Sequence, residues 1–453
     1  MLESQTRFAN LGIALPTLLL PGPQVDLEAW AVIACDQFTQ DQGYWQKVEE
    51  RVGPRASTLR LIFPEIYLDE PQRRERIQSI QHTMRSYLDL GVFGSPLSAC
   101  MYLERATPSH PLRRGLVLLI DLERYDWSPG ARPWIRATEG TVQERIPPRM
   151  EIRRGAALET PHVILLVDDD QETLLEGLGA RVVPRKPTYE TTLMLGGGAV
   201  RGWRIDTAED LELIATSLEA LAQRSKTRYL RGAEASPMDD PFLFAVGDGN
   251  HSLATAKAVW EEYKALHEGA IDLLSHPARW ALVEIENLYD RGIEFEPIHR
   301  VMFGARLDDI VELLSSLPDY SAQGVKTIEA MVRLVGDRDC NRTRYGIIAK
   351  NGAVVVETSA PGIATGPLQP LLDRWVGQKA GRSIDYLHGT EETLRVSLET
   401  KDSAPRVGIL LPPVEKGDLF FTVARSGPLP RKSFSMGEAV EKRYYLECRA
   451  LFR

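Results

Sequence analysis

The stretch that decides the fold is FLFAVGDGNHSLATAKAVWEEY, which runs from Phe242 to Tyr263. Its first residues, up to Val246, are apolar, aromatic or β-branched and end at a glycine, which predicts a buried strand. After Ser252 the apolar residues recur at helical spacing, at Leu253, Ala256, Val259, Trp260 and Tyr263. This spacing predicts an amphipathic helix. The stretch therefore predicts a strand that turns sharply into a helix.

Between the predicted strand and helix lies a polar turn, GDGNHS. Its glycines allow a tight reversal and close approach of a ligand. The N–H groups of a helix's first turn favour an anion. Asp248 offers a metal ligand or a base, and His251 offers an imidazole that titrates near neutral pH. We therefore predict a phosphate-binding corner, and the residues predicted to bind phosphate there are Gly247, Gly249, Asn250 and Ser252.

The same residues also fit a purely structural turn. Asp-Gly-Asn is common turn chemistry, and Asn250 or Ser252 could cap the helix. His251 could be a hydrogen-bonded structural residue. The residue pattern of the turn leaves both interpretations open.

The turn resembles the Asp-Gly-His-His-Arg segment of a bacterial and archaeal family known as domain of unknown function 1015. Three further blocks carry the resemblance, at Ile135 to Asp169, Glu296 to Phe303 and Gly427 to Arg449. The last of these corresponds to a Pro-rich, Lys-containing segment of the family, and Arg431 and Lys432 lie in it. The resemblance covers nearly the whole chain, but the family name implies no activity.

The strand–turn–helix segment is also similar to the phosphate-binding corner of the ParB/sulfiredoxin-like superfamily, which includes CTP-binding partition proteins and kinases of free serine. This similarity implies a mixed α/β fold with a ParB/sulfiredoxin-like core around the corner and a smaller C-terminal α+β unit. Asp248, Gly249 and His251 match the motif. Asn250 replaces the first His, and Ser252 replaces an Arg whose planar fork suits phosphate.

A basic run in the block Ile135 to Asp169 offers substitutes for the missing Arg. Arg149 and Arg153 are four residues apart and would share one face of a helix, and we predict that both bind phosphate. A solvated charged surface is the alternative for this run. Glu139, in the same block, is the predicted second carboxylate, because the serine-kinase relatives need a catalytic acid outside the glycine motif.

The resemblance implies a nucleotide-dependent phosphotransferase that acts on a small, hydroxylated, serine-like metabolite. The predicted catalytic residues are Asp248, His251 and Glu139. The predicted cofactors are Mg²⁺, held by Asp248, and a nucleotide, ATP or ADP. The alternative is a non-catalytic regulator that binds a nucleotide or phosphometabolite, which the Arg-to-Ser change at Ser252 favours. In either case the expected partner is an anionic small molecule or a nucleotide.

Composition bounds these expectations. The chain has 453 residues and a formal net charge of −9, which argues against a generic nucleic-acid-binding surface. Its apolar runs are too short for a membrane span, and no signal peptide is evident, so the expected location is cytoplasmic. The four cysteines stand apart without zinc-type spacing. Homo-oligomerisation is left open.

The length predicts two or three structural units. We predict an N-terminal α+β region (1–130), a core with the GDGNHS corner (131–303) and a C-terminal α+β unit (304–453). The clearest helix pattern lies at 206–226, with acidic residues early and basic residues late. In the C-terminal unit, Asn351-Gly352 predicts a hairpin turn, and two later apolar runs are VGILLP (407–412) and LFFTVA (419–424).

Overall fold

The computed structural model describes residues 2–128, 130–229, 240–337, 342–399 and 405–452, with residues 2–4 described by their backbone alone. Two compact units make up this part of the chain. Unit 1 comprises Met1–Ile293 and Glu438–Arg453, and unit 2 comprises Glu294–Gly437. The predicted three regions are a different division of the chain and stay a prediction.

Helices occur throughout both units. The α-helices, in chain order, are α1 (Leu2–Asn10), α2 (Leu27–Trp30), α3 (Gln42–Val52), α4 (Arg73–Asp89), α5 (Ile146–Arg153), α6 (Leu175–Val182), α7 (Ala208–Arg228), α8 (Asn250–Leu266), α9 (Leu307–Leu314), α10 (Ile328–Val335), α11 (Thr365–Gly377), α12 (Thr390–Leu398) and α13 (Lys416–Ser426). Short 3₁₀ turns lie at Thr58–Arg60, Glu65–Tyr67, Leu122–Arg124, Gln143–Arg145, Met194–Gly196, Leu273–Ser275, Pro277–Arg279 and Ala439–Glu441.

Strands alternate with these helices along the chain. In chain order they are β1 (Ile13–Ala14), β2 (Thr17–Leu18), β3 (Val32–Ile33), β4 (Leu97–Ser98), β5 (Cys100–Ala106), β6 (Arg113–Asp121), β7 (Ile135–Ala137), β8 (Leu158–Glu159), β9 (Val163–Val167), β10 (Tyr189–Leu193), β11 (Gly198–Ile205), β12 (Phe244–Asp248), β13 (Trp280–Asn287), β14 (Phe295–Phe303), β15 (Ser321–Val325), β16 (Thr343–Ala349), β17 (Gly352–Thr358), β18 (Ser383–His388), β19 (Arg406–Leu410), β20 (Phe434–Met436), β21 (Tyr444–Tyr445) and β22 (Arg449–Ala450).

The main sheet of unit 1 has the strand order β10-β11-β5-β6-β13-β9-β12-β7, and β1 adds to β6. Most neighbours are antiparallel, but β12 runs parallel to β7 and β13 runs parallel to β9. Its central strands are almost wholly buried, as in β9, where all five residues are buried. Both faces of these strands are therefore covered, as continuous apolar runs require.

The strand of the GDGNHS corner lies near one edge of this sheet. β12 pairs with β9 on one side and with β7, the edge strand, on the other. Its pairing with β9 shifts register between Val246 and Asp248, so the ladder is irregular at Gly247. Such bulges bend a strand and re-aim its side chains, and they are common beside functional sites. The bulge therefore sets the direction in which Asp248 leaves the sheet.

The last residues of the chain belong to unit 1. β21 pairs with β3, and β22 pairs with β8. The buried guanidinium of Arg105 donates hydrogen bonds to the carbonyl oxygens of Val440 (2.7 Å), Glu441 (2.8 Å) and Lys442. These contacts fix the path of the C-terminal segment through unit 1.

Unit 2 is built on a second, antiparallel sheet with the order β15-β17-β16-β19-β14-β18, and β20 adds to β14. Adjacent residues of β16, Ile347 and Ile348, belong to separate apolar clusters. Because neighbouring side chains of a strand point to opposite faces, each face of this sheet has its own core. The N–H of Gly437 donates to the carbonyl oxygen of Glu294 (3.1 Å), so the two ends of the unit meet.

The predicted mixed α/β class is confirmed. The clearest predicted helix, 206–226, is α7, capped by the Thr207 side chain. The predicted hairpin joins β16 to β17, but its turn residues are Lys350 and Asn351, because Gly352 already pairs with Ala349 as the first residue of β17. In the ranges described above, no helix has the length and apolar character that crossing a membrane would require.

Candidate functional site

The corner between β12 and α8 is formed by one left-handed residue. Gly249 has φ +82° and stands immediately before the helix. A Cβ there would lie 3.2 Å from His162 Cδ2 and from the Cα of Val163. Glycine is therefore required both for its backbone conformation and for its lack of a side chain. Because Gly249 makes the whole reversal, α8 begins at Asn250, inside the predicted turn.

No side chain caps the first turn of α8. Neither Asn250 nor Ser252 acts as the predicted alternative cap, and both are half-buried. The side-chain oxygen of Asn250, Oδ1, is buried without a hydrogen-bond partner. Leaving a buried acceptor unpaired costs about 1–3 kcal/mol. The helix start thus combines backbone donors that attract an anion with an acceptor that lacks a donor.

Asp248 is the last residue of β12 and lies directly before the helix start. Its Oδ1 accepts the N–H of Gly249 (3.0 Å), and its Oδ2 lies 3.5 Å from Nζ of Lys442. The Asp248 side chain is 23% exposed and the Lys442 side chain 11% exposed. A carboxylate and an ammonium thus meet in a largely desolvated place, where charge interactions are stronger than in water.

Glu139 follows the end of β7, which runs parallel to β12. The register pairs Ala137 with Val246, and the Thr138 hydroxyl donates to the carbonyl oxygen of Val246 (2.6 Å). The residues that follow these two strands therefore emerge at the same end of the sheet, at the carboxyl ends of both strands. Glu139 therefore lies at the same end of the sheet as Asp248. The Glu139 side chain is half-buried.

His251 connects the helix start to the loop that carries Glu139. Its Nε2 accepts the backbone N–H of Val142 (3.2 Å). Nε2 therefore carries a lone pair, and the ring is held against the loop. This contact gives His251 a positioning role in addition to any role with a ligand.

A second polar group lies behind Gly249. His162 Nε2 is 3.5 Å from Oδ2 of Asp36, and Nδ1 is 2.5 Å from the hydroxyl oxygen of Tyr445. Burial lowers the pKa of His162, but Tyr445 and Asp36 outweigh it and raise that pKa well above its ordinary value. Burial also opposes ionisation of Asp36, yet the charge of His162 holds the Asp36 pKa well below its ordinary value. The two side chains form a half-buried ion pair, with His162 13% and Asp36 24% exposed.

The predicted basic substitutes lie on α5, as a shared helix face requires, and both are already engaged. Arg149 Nη2 is 2.5 Å from Oε1 of Glu65, and Arg153 Nη2 is 2.5 Å from Oε1 of Glu159. A ligand that bound them would have to compete with these carboxylates. Their role in phosphate binding stays a prediction.

Three residues near the corner were not predicted from the sequence: Lys442, His162 and Asp36. Arg431 and Lys432, in the same C-terminal block as Lys442, belong to unit 2. Lys442 carries no local motif, and its place at the corner depends on the pairing of β21 with β3. The resemblance of the block Gly427 to Arg449 pointed to this segment of the chain, but it did not point to Lys442 within it.

The predicted magnesium ion would have to use the oxygen atoms of the corner. Magnesium commonly binds one or two carboxylates together with substrate phosphates. Asp248 and the amide oxygen of Asn250 supply such donors, and Glu139 leaves the neighbouring strand. Among the residues with described positions, no three or more His, Cys, Asp or Glu side chains group in a way that could hold a metal ion.

The structure thus belongs to the class of mixed α/β proteins with an uncapped, glycine-initiated helix at the end of a buried strand. Residues 19–375 match the family described as "Protein of unknown function (DUF1015)", and the chain belongs to this family. No curated protein matches the sequence.

Several solved structures are similar in fold. A conserved hypothetical protein from Pyrococcus furiosus is 11% identical, with 72% of this chain and 93% of that chain covered and a TM-score of 0.35. A free serine kinase in complex with AMP is 11% identical, with coverage of 72% and 90% and a TM-score of 0.35. SbnI from Staphylococcus aureus, with a C-terminal truncation, is 7% identical, with coverage of 71% and 82% and a TM-score of 0.34. Similarity this low carries no argument about activity or ligand.

Proposed function

We propose that the protein is a nucleotide-dependent phosphotransferase that acts on a small, hydroxylated, serine-like metabolite. The observation that carries the proposal is the start of α8. There the N-terminus of α8 has no side-chain cap, Asp248 directly precedes the Gly249 turn, and Oδ1 of Asn250 is buried without a hydrogen-bond partner. Gly247, Gly249, Asn250 and Ser252 would hold the phosphates, with ATP or ADP as the donor.

In the proposed reaction the substrate hydroxyl oxygen bonds to the terminal phosphorus of the nucleotide. The bond between that phosphorus and its bridging oxygen breaks, and the nucleotide leaves one phosphate shorter. The hydroxyl proton passes to a carboxylate, and Glu139 is the proposed base because it follows β7, the strand that runs parallel to β12. Mg²⁺, when bound at Asp248, would neutralise charge on the phosphates.

The remaining residues would position these groups. His251 would hold the Glu139 loop against the helix start through Val142. Arg149 and Arg153 stay candidate phosphate ligands that would have to exchange their carboxylate partners. A cytoplasmic location and a small-molecule partner stay predictions with this proposal.

A non-catalytic nucleotide- or phosphometabolite-binding regulator is the second candidate. Its support is the place of Ser252, where the resembling motif carries an Arg. Since a neutral hydroxyl cannot replace a bidentate guanidinium, the corner would bind phosphate more weakly during transfer. A regulator needs only the ground-state complex.

Phosphotransfer, followed by ³¹P NMR, separates the two candidates. The protein is incubated with ATP or ADP, Mg²⁺ and serine, and matched reactions contain Asp248→Asn or Glu139→Gln. A phosphotransferase is expected to form a phosphomonoester in the wild type, with a loss of about 100-fold or more in Glu139→Gln, since general bases contribute about that much. Nucleotide binding without any phosphomonoester would support the regulator instead.

A further inference from the structure

We propose that Lys442 is the phosphate-binding cation of this corner and takes the part that an arginine at the position of Ser252 would play. This inference rests on the proposed function only in placing a phosphate at the start of α8. It requires neither a nucleotide nor turnover.

The Lys442 ammonium has more hydrogen-bond donors than its surroundings satisfy. An ammonium has three N–H donors. Within the described part of the chain, its ion pair is with Asp248, with Nζ and Oδ2 3.5 Å apart, and its charge also acts at longer range on the carboxylate of Asp36. That separation is longer than a good N–H···O hydrogen bond. The side chain is 11% exposed, so it has lost most of its hydration without gaining close acceptors. Phosphate oxygens would supply them.

The Lys442 ammonium lies close to the start of α8. Lys442 Nζ approaches one oxygen of Asp248, while the other oxygen accepts the N–H of Gly249. The ammonium therefore lies within one carboxylate group of the N-terminus of α8. A phosphate at the helix start would meet backbone donors and the ammonium together, which is how lysine serves as a point charge beside a phosphate-binding turn.

The backbone on both sides of Lys442 in the sequence is held by buried contacts. Arg105 binds the carbonyl oxygens of residues 440–442. The next residue, Arg443, is buried and pairs with Glu284 (2.6 Å) and Glu447 (2.5 Å). These contacts fix the backbone from which the Lys442 side chain extends. Arg149 and Arg153, in contrast, form close pairs at 2.5 Å.

The test measures pyrophosphate affinity by titration calorimetry, with and without Mg²⁺. The proteins are the wild type, Lys442→Met, Lys442→Arg, Arg149→Met and the control Lys264→Met, which removes an ion-paired lysine from the other end of α8. Lys442→Met is expected to weaken binding about 10- to 100-fold, as loss of a charge-assisted hydrogen bond does. Lys442→Arg should restore most of the affinity, and Lys264→Met should leave it unchanged.

Three outcomes would overturn the inference: no pyrophosphate binding by the wild type, equal binding by Lys442→Met, or a loss in Arg149→Met without one in Lys442→Met. Pyrophosphate binding that depends on Lys442, without ATP or ADP binding, would refute the proposed function and leave the inference standing. The two failures are therefore distinguishable.

A measurement on the wild type covers the case in which Lys442→Met does not fold. Reductive methylation of lysines is followed by mass spectrometry in the presence and absence of pyrophosphate. Pyrophosphate is expected to slow modification of Lys442 severalfold and to leave Lys264 unaffected. Equal modification rates at Lys442 would contradict the inference.

Discussion

At the scale of single residues, the corner depends on a conformation that a side chain would oppose. Gly249 adopts φ +82° with His162 and Val163 packed against it. The oppositely charged Asp248 and Lys442 lie next to this glycine, since Asp248 accepts the Gly249 N–H. His162, which pairs with Asp36, packs against the Cα of Gly249. The backbone N–H groups of α8 are thus presented between charged side chains that the surrounding structure holds in place.

The His162–Asp36 pair makes a pH-dependent contribution to stability. Because the folded-state pKa of His162 lies above its ordinary value of 6.5, the contribution is complete below about pH 6.5 and is lost as the pH rises through the folded-state value. His162→Gln is expected to lower the free energy of unfolding by about 1–3 kcal/mol at pH 6, because it removes the opposite charge from the half-buried Asp36 carboxylate.

The measurement is urea unfolding of the wild type and His162→Gln at pH 6 and at pH 9. The difference between the two proteins should be smaller at pH 9. A difference that stays constant between these pH values would show that His162 is not protonated in the folded protein.

At the scale of elements, the sequence predicted a strand, a turn and a helix, and the structure has all three with shifted bounds. The helix begins at Asn250, because one left-handed glycine completes the turn. The pattern of residue types indicates where a chain reverses, but it does not indicate how many residues the reversal takes. The placement of Glu139 beside Asp248 follows from the parallel pairing of β7 with β12, which no local pattern specifies.

Short apolar runs show the limit of local patterns. VGILLP lies mostly in strand β19, whereas LFFTVA lies within helix α13. Six apolar residues fit either a buried strand or the buried side of a helix, so periodicity alone does not separate them. Tertiary packing decides between them.

The buried side chain of Arg105 is one of the groups that hold the segment that carries Lys442. Replacing it with methionine, Arg105→Met, leaves the carbonyl oxygens of residues 440–442 without their donor. We expect a loss of about 3 kcal/mol in the free energy of unfolding and faster amide hydrogen exchange in residues 438–449.

Arg201→Met is the matched control, since Arg201 lies on the neighbouring strand and forms an ion pair with its side chain 45% exposed. Such surface pairs contribute about 0–1 kcal/mol. Equal stability of the two variants would mean that Arg105 does not hold the segment.

At the scale of the whole molecule, unit 2 interrupts unit 1 in sequence. The ends of unit 2 meet through the Gly437–Glu294 hydrogen bond and the pairing of β20 with β14. Adjacent termini are typical of inserted domains. The sequence gives no sign that the last residues return to unit 1, because the relevant contacts join segments far apart along the chain. For the same reason Lys442 could not be assigned to the corner.

The division into units predicts which fragment folds alone. Residues 294–437 contain the whole second sheet with an apolar core on each face, so this fragment is expected to unfold cooperatively. The fragment 304–453, which follows the boundary predicted from sequence, lacks β14, the partner of β18, β19 and β20.

Thermal unfolding followed by circular dichroism compares the two fragments. We expect a cooperative transition for 294–437 and none for 304–453. The reverse result would support the predicted boundary and refute the division at Glu294 and Gly437.

The central claim is that the start of α8 binds the phosphates of a nucleotide. Calorimetric titration of ADP, with Mg²⁺ present, into the wild type and Asp248→Asn tests it most directly. The account predicts saturable binding by the wild type and a loss of at least about 10-fold in Asp248→Asn. No binding by the wild type, or equal binding by both proteins, would contradict it.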